Sequence, residues 1–121
     1  MNDAIQTAKI LRLGDIAHAR SGDKGNHANI GVIAWTQSGF QFLDAFLTAE
    51  RVAEYFASLQ PTSVERFCLP GVGAYNFVLR NVLDGGASRS LRIDSQGKTL
   101  SAALLLLPIT PRPDQWESMC L

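Results

Sequence analysis

The sequence predicts an α+β sandwich, with two helices on one face of a mainly antiparallel sheet. Three observations lead there. The chain has 121 residues, 46% hydrophobic and 18% charged, which suits one domain around a single core. Short apolar runs bounded by Gly, Pro and Asn read as strands. Two stretches instead carry their apolar residues at helical spacing. The resulting order is β, long loop, β, α, β, α, β, β.

The elements follow in chain order. Lys9–Gly14 alternates apolar and polar residues and predicts a first strand. Ala28–Trp35 predicts a second, with Ile30, Val32 and Ala34 opposite Gly31, Ile33 and Trp35. Both of its faces are apolar enough for a central position. Gln37-Ser-Gly39 closes it, and Phe40–Phe46 fits either a strand or a short helix. Thr48 is a good helix N-cap, Glu50 in the first turn suits the helix dipole, and Ala49, Val52, Ala53, Phe56 and Leu59 share a face. Pro61 ends that helix.

Val64–Leu69 predicts a third strand, stopped by Pro70-Gly71. A second helix is expected over about Gly73–Asp84, with Tyr75, Val78, Leu79 and Val82 as its apolar stripe and Gly85 just past its end. Leu91–Asp94 reads as a short strand, Ser95-Gln-Gly97 as a turn, and Thr99–Ile109 as the last and most buried strand. Pro108, Pro111 and Pro113 keep the tail extended. This order suggests a ferredoxin-like sandwich. It spans residues 1–121 as one domain, with a core over about 8–109 and a Pro-containing tail over 110–121.

Charge narrows the function classes. Eleven Lys and Arg balance eleven Asp and Glu. No basic field attracts nucleic acid, and a neutral chain has little protection against self-association. The longest apolar run, Ala102–Leu107, is far short of the roughly 18 residues of a membrane span. Met1–Lys9 lacks the apolar core of a signal peptide. Cys68 and Cys120 form no CxxC pair and are expected as reduced thiols. These features predict a cytoplasmic protein that binds neither nucleic acid nor membrane.

The densest chemistry lies in Arg20-Ser-Gly-Asp-Lys-Gly-Asn-His-Ala-Asn-Ile-Gly31. Its glycines allow close approach of a ligand or a second backbone, and its Asn and Asp residues support turns. It reads either as a long solvated loop or as a preformed polar site on the sheet rim. Asp84-Gly-Gly-Ala-Ser-Arg-Ser-Leu-Arg92 is a second small-residue cationic stretch. Backbone amides there, with Arg20, Lys24, Arg89 or Arg92, suit a carboxylate or phosphate. The plainer reading is that Gly85-Gly86 stops a helix and the arginines are solvated.

Other chemistries are weakly signalled. Gly22–Gly25 lacks the GxxxxGK[ST] spacing of a phosphate loop. Asp15, His18, Asp23 and His27 have no metal-ligand spacing, and neither metal nor cofactor is expected. Asp15, His18 and Asp23 are an acid–base set on paper, and Ser21 a nucleophile, but no G-x-S-x-G elbow supports it. Asn76, in the first turn of the expected second helix, would sit near outward-pointing amides. Core packing is the expectation for Trp35; an interface role for Trp35 or Trp116 is the alternative.

Several of these motifs resemble a known family. Leu13-Gly-Asp-Ile-Ala-His-Ala-Arg-Ser-Gly-Asp-Lys-Gly-Asn26, then Ala28-Asn-Ile-Gly31, resembles the opening signature of the AtuA-like ferredoxin-fold domain. Leu47–Val52, Tyr75–Leu79, Gly85–Asp94 and Gly97–Leu100 fit it too, so the likeness runs from about Ile10 to about Pro108. The resemblance implies a free-standing form of the C-terminal domain of larger bacterial proteins of acyclic terpene utilisation, associated with breakdown of terpenes and branched acyl-CoA compounds. It implies a large AtuA-like N-terminal-type protein as partner and no agreed catalytic residues.

Carried over by motif, the candidate ligand or interface positions are Arg20, Ser21, Gly22, Asp23, Lys24, Gly25, Asn26, Asn29, Asn76, Gly85, Gly86, Ser88, Arg89 and Ser90. On this reading the chain is an accessory domain, not catalytic on its own, that helps form a site for an acyl-CoA or carboxylate ligand. Arg20, Lys24 and Arg89 would meet the anion. The alternative is a structural module that assembles as a homo-oligomer without ligand or catalysis.

Overall fold

The computed structural model describes residues 11–82 and 100–120. Its centre is a four-stranded antiparallel sheet in the order β2-β3-β5-β4. The strands are β2 (Ala17–Lys24), β3 (His27–Ala34), β4 (Ser63–Leu69) and β5 (Ala74–Arg80). β1 (Leu11–Arg12) pairs with β6 (Pro108–Ile109) as a separate two-stranded ladder, with Leu11 opposite Ile109. Lys9 and Ile10 of the expected first strand lie outside the described residues; its far end does not continue the strand, because the chain turns through a 3-10 helix at Leu13–Asp15. Asp15 closes that turn by accepting from the Arg12 amide at 2.8 Å.

The segment expected as a long loop is instead a hairpin. Every residue from Ala17 to Lys24 pairs across to β3, ending at Lys24 opposite His27. Gly25-Asn26 is the whole connection. Gly25 takes φ +62, and a glycine first in a two-residue loop is the signature of a type II′ turn. The Ala17, Ala19 and Ile30, Val32 positions alternate inward and supply the apolar drive for pairing.

The expected second helix is also a strand. Tyr75, Phe77 and Leu79 are fully buried while Asn76, Val78 and Arg80 are only half-buried. That period of two, rich in aromatic residues, favours the pleated sheet. Tyr75, Val78, Leu79 and Val82 match helical spacing by coincidence. Conversely, the expected last strand is mostly helical, over residues 100–105. Ala and Leu are the strongest helix formers, and Leu100 and Leu104, one turn apart, both reach the core. The strand expected over Leu91–Asp94, with its turn, lies outside the described residues.

The helices form one layer: α1 (Gln37–Phe46), α2 (Ala49–Tyr55) and α3 (residues 100–105), with a short α4 (Trp116–Met119) in the tail. The ambiguous Phe40–Phe46 segment therefore resolves as helix. Thr36 caps α1, its Oγ accepting from the Gly39 amide at 3.0 Å, and Thr48 caps α2 in the same way through Arg51. Leu43, Val52 and Leu104 join Ile30, Val32 and Phe77 in a single core. The tail is not extended as expected: it turns through Pro113–Gln115 into α4, which buries Met119 against this core. Among the described residues no helix is long and apolar enough to cross a membrane.

This is an α+β sandwich with a mainly antiparallel sheet. The helices cover one face of the sheet. Among the described residues no helix covers the other face, and the registry of the strands decides which side chains appear on it.

Candidate functional site

Three rows of the open face can be read from the strand register. One row runs His18, Ile33, Ala74, Leu69. The next runs Arg20, Gly31, Asn76, Phe67, and the third Gly22, Asn29, Val78, Glu65. Arg20, Gly22 and Asn29, scattered in the expected loop, thus share a surface with Asn76 from a distant strand.

The centre of this surface is polar. Asn29 donates through Nδ2 to Asn76 Oδ1 at 3.4 Å. Gly22 lies beside that pair: a Cβ there would meet Asn29 Oδ1 at 3.4 Å, an ordinary van der Waals contact. The linked amides keep both Asn76 Nδ2 donors, the second Asn29 Nδ2 donor and the Asn29 Oδ1 acceptor for further partners. They line an open depression of about 340 Å³ together with His27, Ala28, Val78 and Arg80. His27 Nδ1 accepts from the Asn81 amide at 3.0 Å, which leaves Nε2 to carry the ring proton of the neutral imidazole. Arg80 grips Glu65 Oε1 through Nε and Nη2 at 3.1 and 2.7 Å. Arg20 is exposed and forms no ion pair among the described residues.

The end of the face away from the hairpin tip is apolar. Ile33, Phe67 and Leu69 are 40, 49 and 47% exposed. Trp35, expected in the core, is 42% exposed beside them, its ring 5.8 Å from that of His18.

The remaining sequence candidates separate. Ser21 faces the helices, where its Oγ accepts from the Ser101 amide at 3.1 Å and ties β2 to the first turn of α3. Asp23 is on the same side of the strand as Ser21 but exposed at the hairpin end. Gly25 and Asn26 form the tip, and Lys24 contributes its backbone pairing with His27. Gly85, Gly86, Ser88, Arg89 and Ser90 lie outside the described residues, as does Arg92. Asn76 is in β5, not at a helix start. The acid–base set does not assemble: His18 and Asp23 project from opposite faces of β2, and Asp15 is engaged by Arg12. Among the described residues no group of three His, Cys, Asp or Glu is placed to hold a metal ion.

Sequence reasoning misses Phe67, Arg80 and Glu65, and weighs His27 only as a metal ligand. The signal was the strict alternation of Ala74-Tyr-Asn-Phe-Val-Leu-Arg80, which as a strand sends Asn76 and Arg80 to the side opposite Tyr75. Among the described residues one titrating group stands out, but it is structural. Burial, reinforced by the nearby Asp44 carboxylate, pushes the Tyr75 hydroxyl from 10.0 up to about 12. That hydroxyl donates to the Phe40 carbonyl at 2.8 Å and pins α1 to the sheet.

An antiparallel sheet with helices on one face and a mixed polar and apolar second face is an α+β sandwich. The family model for the AtuA ferredoxin-like domain matches residues 11–110, and the chain belongs to that family. No curated protein and no solved structure matches it.

Proposed function

We propose that the chain is an accessory domain of an AtuA-like system acting on acyclic terpene or branched acyl-CoA compounds in the bacterial cytoplasm. It works as a single domain and completes a ligand site or interface jointly with a large AtuA-like protein. The observation that carries this reading is that Arg20, Asn29 and Asn76 share one sheet face, where Asn29 is bonded to Asn76. Arg20, with Lys24 and Arg89, meets a carboxylate or a CoA phosphate. Asn29 and Asn76 orient its polar groups, and the depression beside them receives it. Ser21 drops out of the binding set, because its hydroxyl is turned to the helices.

The test is capture of the large AtuA-like protein of the same genome by this chain, followed by CoA and acyl-CoA titration of each chain and of the complex. Binding is expected in the complex and weakened about tenfold or more by Arg20→Ala with Asn76→Ala. Unchanged capture and affinity in that variant overturn the reading.

A second reading has its own support. Ile33, Phe67 and Leu69 together expose more apolar surface than scattered single residues would. The chain is on that account a homo-oligomer, and an assembly module without ligand if no ligand binds.

A further inference from the structure

We infer that the open sheet face is a self-complementary surface, and that two copies of this chain pack through it face to face about a two-fold axis parallel to the strands. This deepens the homo-oligomer reading above by naming the face and the pairing.

The argument is geometric. A two-fold axis along the strands, midway between the sheets, places β2 of one copy over β4 of the other and β3 over β5, given the order β2-β3-β5-β4. Each row then meets its own reverse. Ile33 of one copy lies over Ala74 of the other, and Asn76 over Gly31. Phe67 lies over the Arg20 stem, and Glu65 over Gly22. A larger residue meets a small one at Ile33–Ala74, Asn76–Gly31 and Glu65–Gly22, while Phe67–Arg20 and Leu69–His18 lay two long side chains against each other, at the spacing of about 10 Å between packed sheet faces.

Charge follows the same symmetry. Arg20 has no ion-pair partner among the described residues, and it sits on the β2 edge. Glu65 sits on the β4 edge and gives both Arg80 bonds to a single oxygen, Oε1. The two-fold brings Arg20 of one copy beside Glu65 of the other, twice, with the Phe67 ring beneath the guanidinium. A chain of zero net charge adds no long-range repulsion to this contact.

Sedimentation velocity on the isolated chain, with no partner or ligand, tests the inference. A dimer is expected. Phe67→Asp and Arg20→Glu should each raise its dissociation constant about tenfold or more, with the circular dichroism unchanged. Arg20→Glu combined with Glu65→Arg should recover dimer relative to Arg20→Glu alone. A wild-type monomer at high concentration overturns the inference and the homo-oligomer reading together. A dimer indifferent to Phe67→Asp and Arg20→Glu overturns only the face assigned here. Neither measurement uses the large AtuA-like protein or CoA; because this packing covers Arg20, Asn29 and Asn76, the ligand site belongs to a copy released from the dimer, and its titration is a separate test.

Discussion

The two faces of the four-stranded sheet are made from the same strands and behave as different materials. Toward the helices, Ile30, Val32, Tyr75, Phe77 and Leu79 are completely buried. One residue along each strand, the other face carries Gly31, Ile33, Asn76, Val78 and Arg80, which remain partly or largely accessible. The inner face holds the fold together. The outer face contributes little to a single copy's stability, and its residue choices are therefore free to serve recognition. Substitutions on the two faces should separate stability from binding.

The largest effect should come from Phe77→Ala, which empties a fully buried aromatic site and should cost about 3–5 kcal/mol in denaturant unfolding. Phe67→Ala removes the same side chain from the outer face. At concentrations where the chain is monomeric it should change stability by less than about 0.5 kcal/mol. Equal losses from the two would break the comparison.

Next in size is the alkaline response of Tyr75. Its hydroxyl ionises at about 12 in the folded chain against 10.0 as a free side chain. Below pH 10 both states keep the proton and the group has no effect. Between about pH 10 and 12 the unfolded state loses its proton first, so stability should fall as pH rises, by of order 2 kcal/mol. Tyr75→Phe should abolish that component in a pH series of unfolding curves, while costing about 1 kcal/mol at neutral pH for the lost bond to Phe40.

The hairpin tip gives a smaller, sharper test. Gly25→Ala forces a side chain into φ +62 and should cost about 1 kcal/mol. Smallest of all is Asn76→Ala, which should leave the unfolding midpoint within the error of about 0.5 kcal/mol while changing what the outer face binds.

How much of this was legible in the sequence depended on whether periodicity was unambiguous. The α+β class, the central strand at Ala28–Trp35, the Thr48 cap and the strand at Val64–Leu69 all rest on strong local signals. The failures share a cause. Tyr75, Val78, Leu79 and Val82 satisfy both a helical and a strand pattern, and only the unnoticed alternation with Asn76 and Arg80 decides between them. Ala102–Leu107 is apolar enough to resemble a buried strand, yet its Ala and Leu composition favours helix. The polar hairpin looked like a loop because Gly22, Asp23 and Asn29 are poor strand residues. Pairing with β5 overrides that preference, and no local pattern reveals a partner so distant in sequence. The candidate site was named in part, as Arg20, Asn29 and Asn76. Its being one surface depends on β5, whose residues also match helical spacing.

The central claim, that the outer face is the working surface of this domain, is tested most directly by side-chain NMR. Amide side-chain signals of Asn29 and Asn76 report the outer face, and methyl signals of Leu43 and Val52 report the buried layer beneath the helices. On adding the large AtuA-like protein with CoA, the asparagine signals should shift or broaden selectively while the Leu43 and Val52 methyls keep their pattern. Perturbation confined to the helical layer, with Asn29 and Asn76 unmoved, would contradict the account.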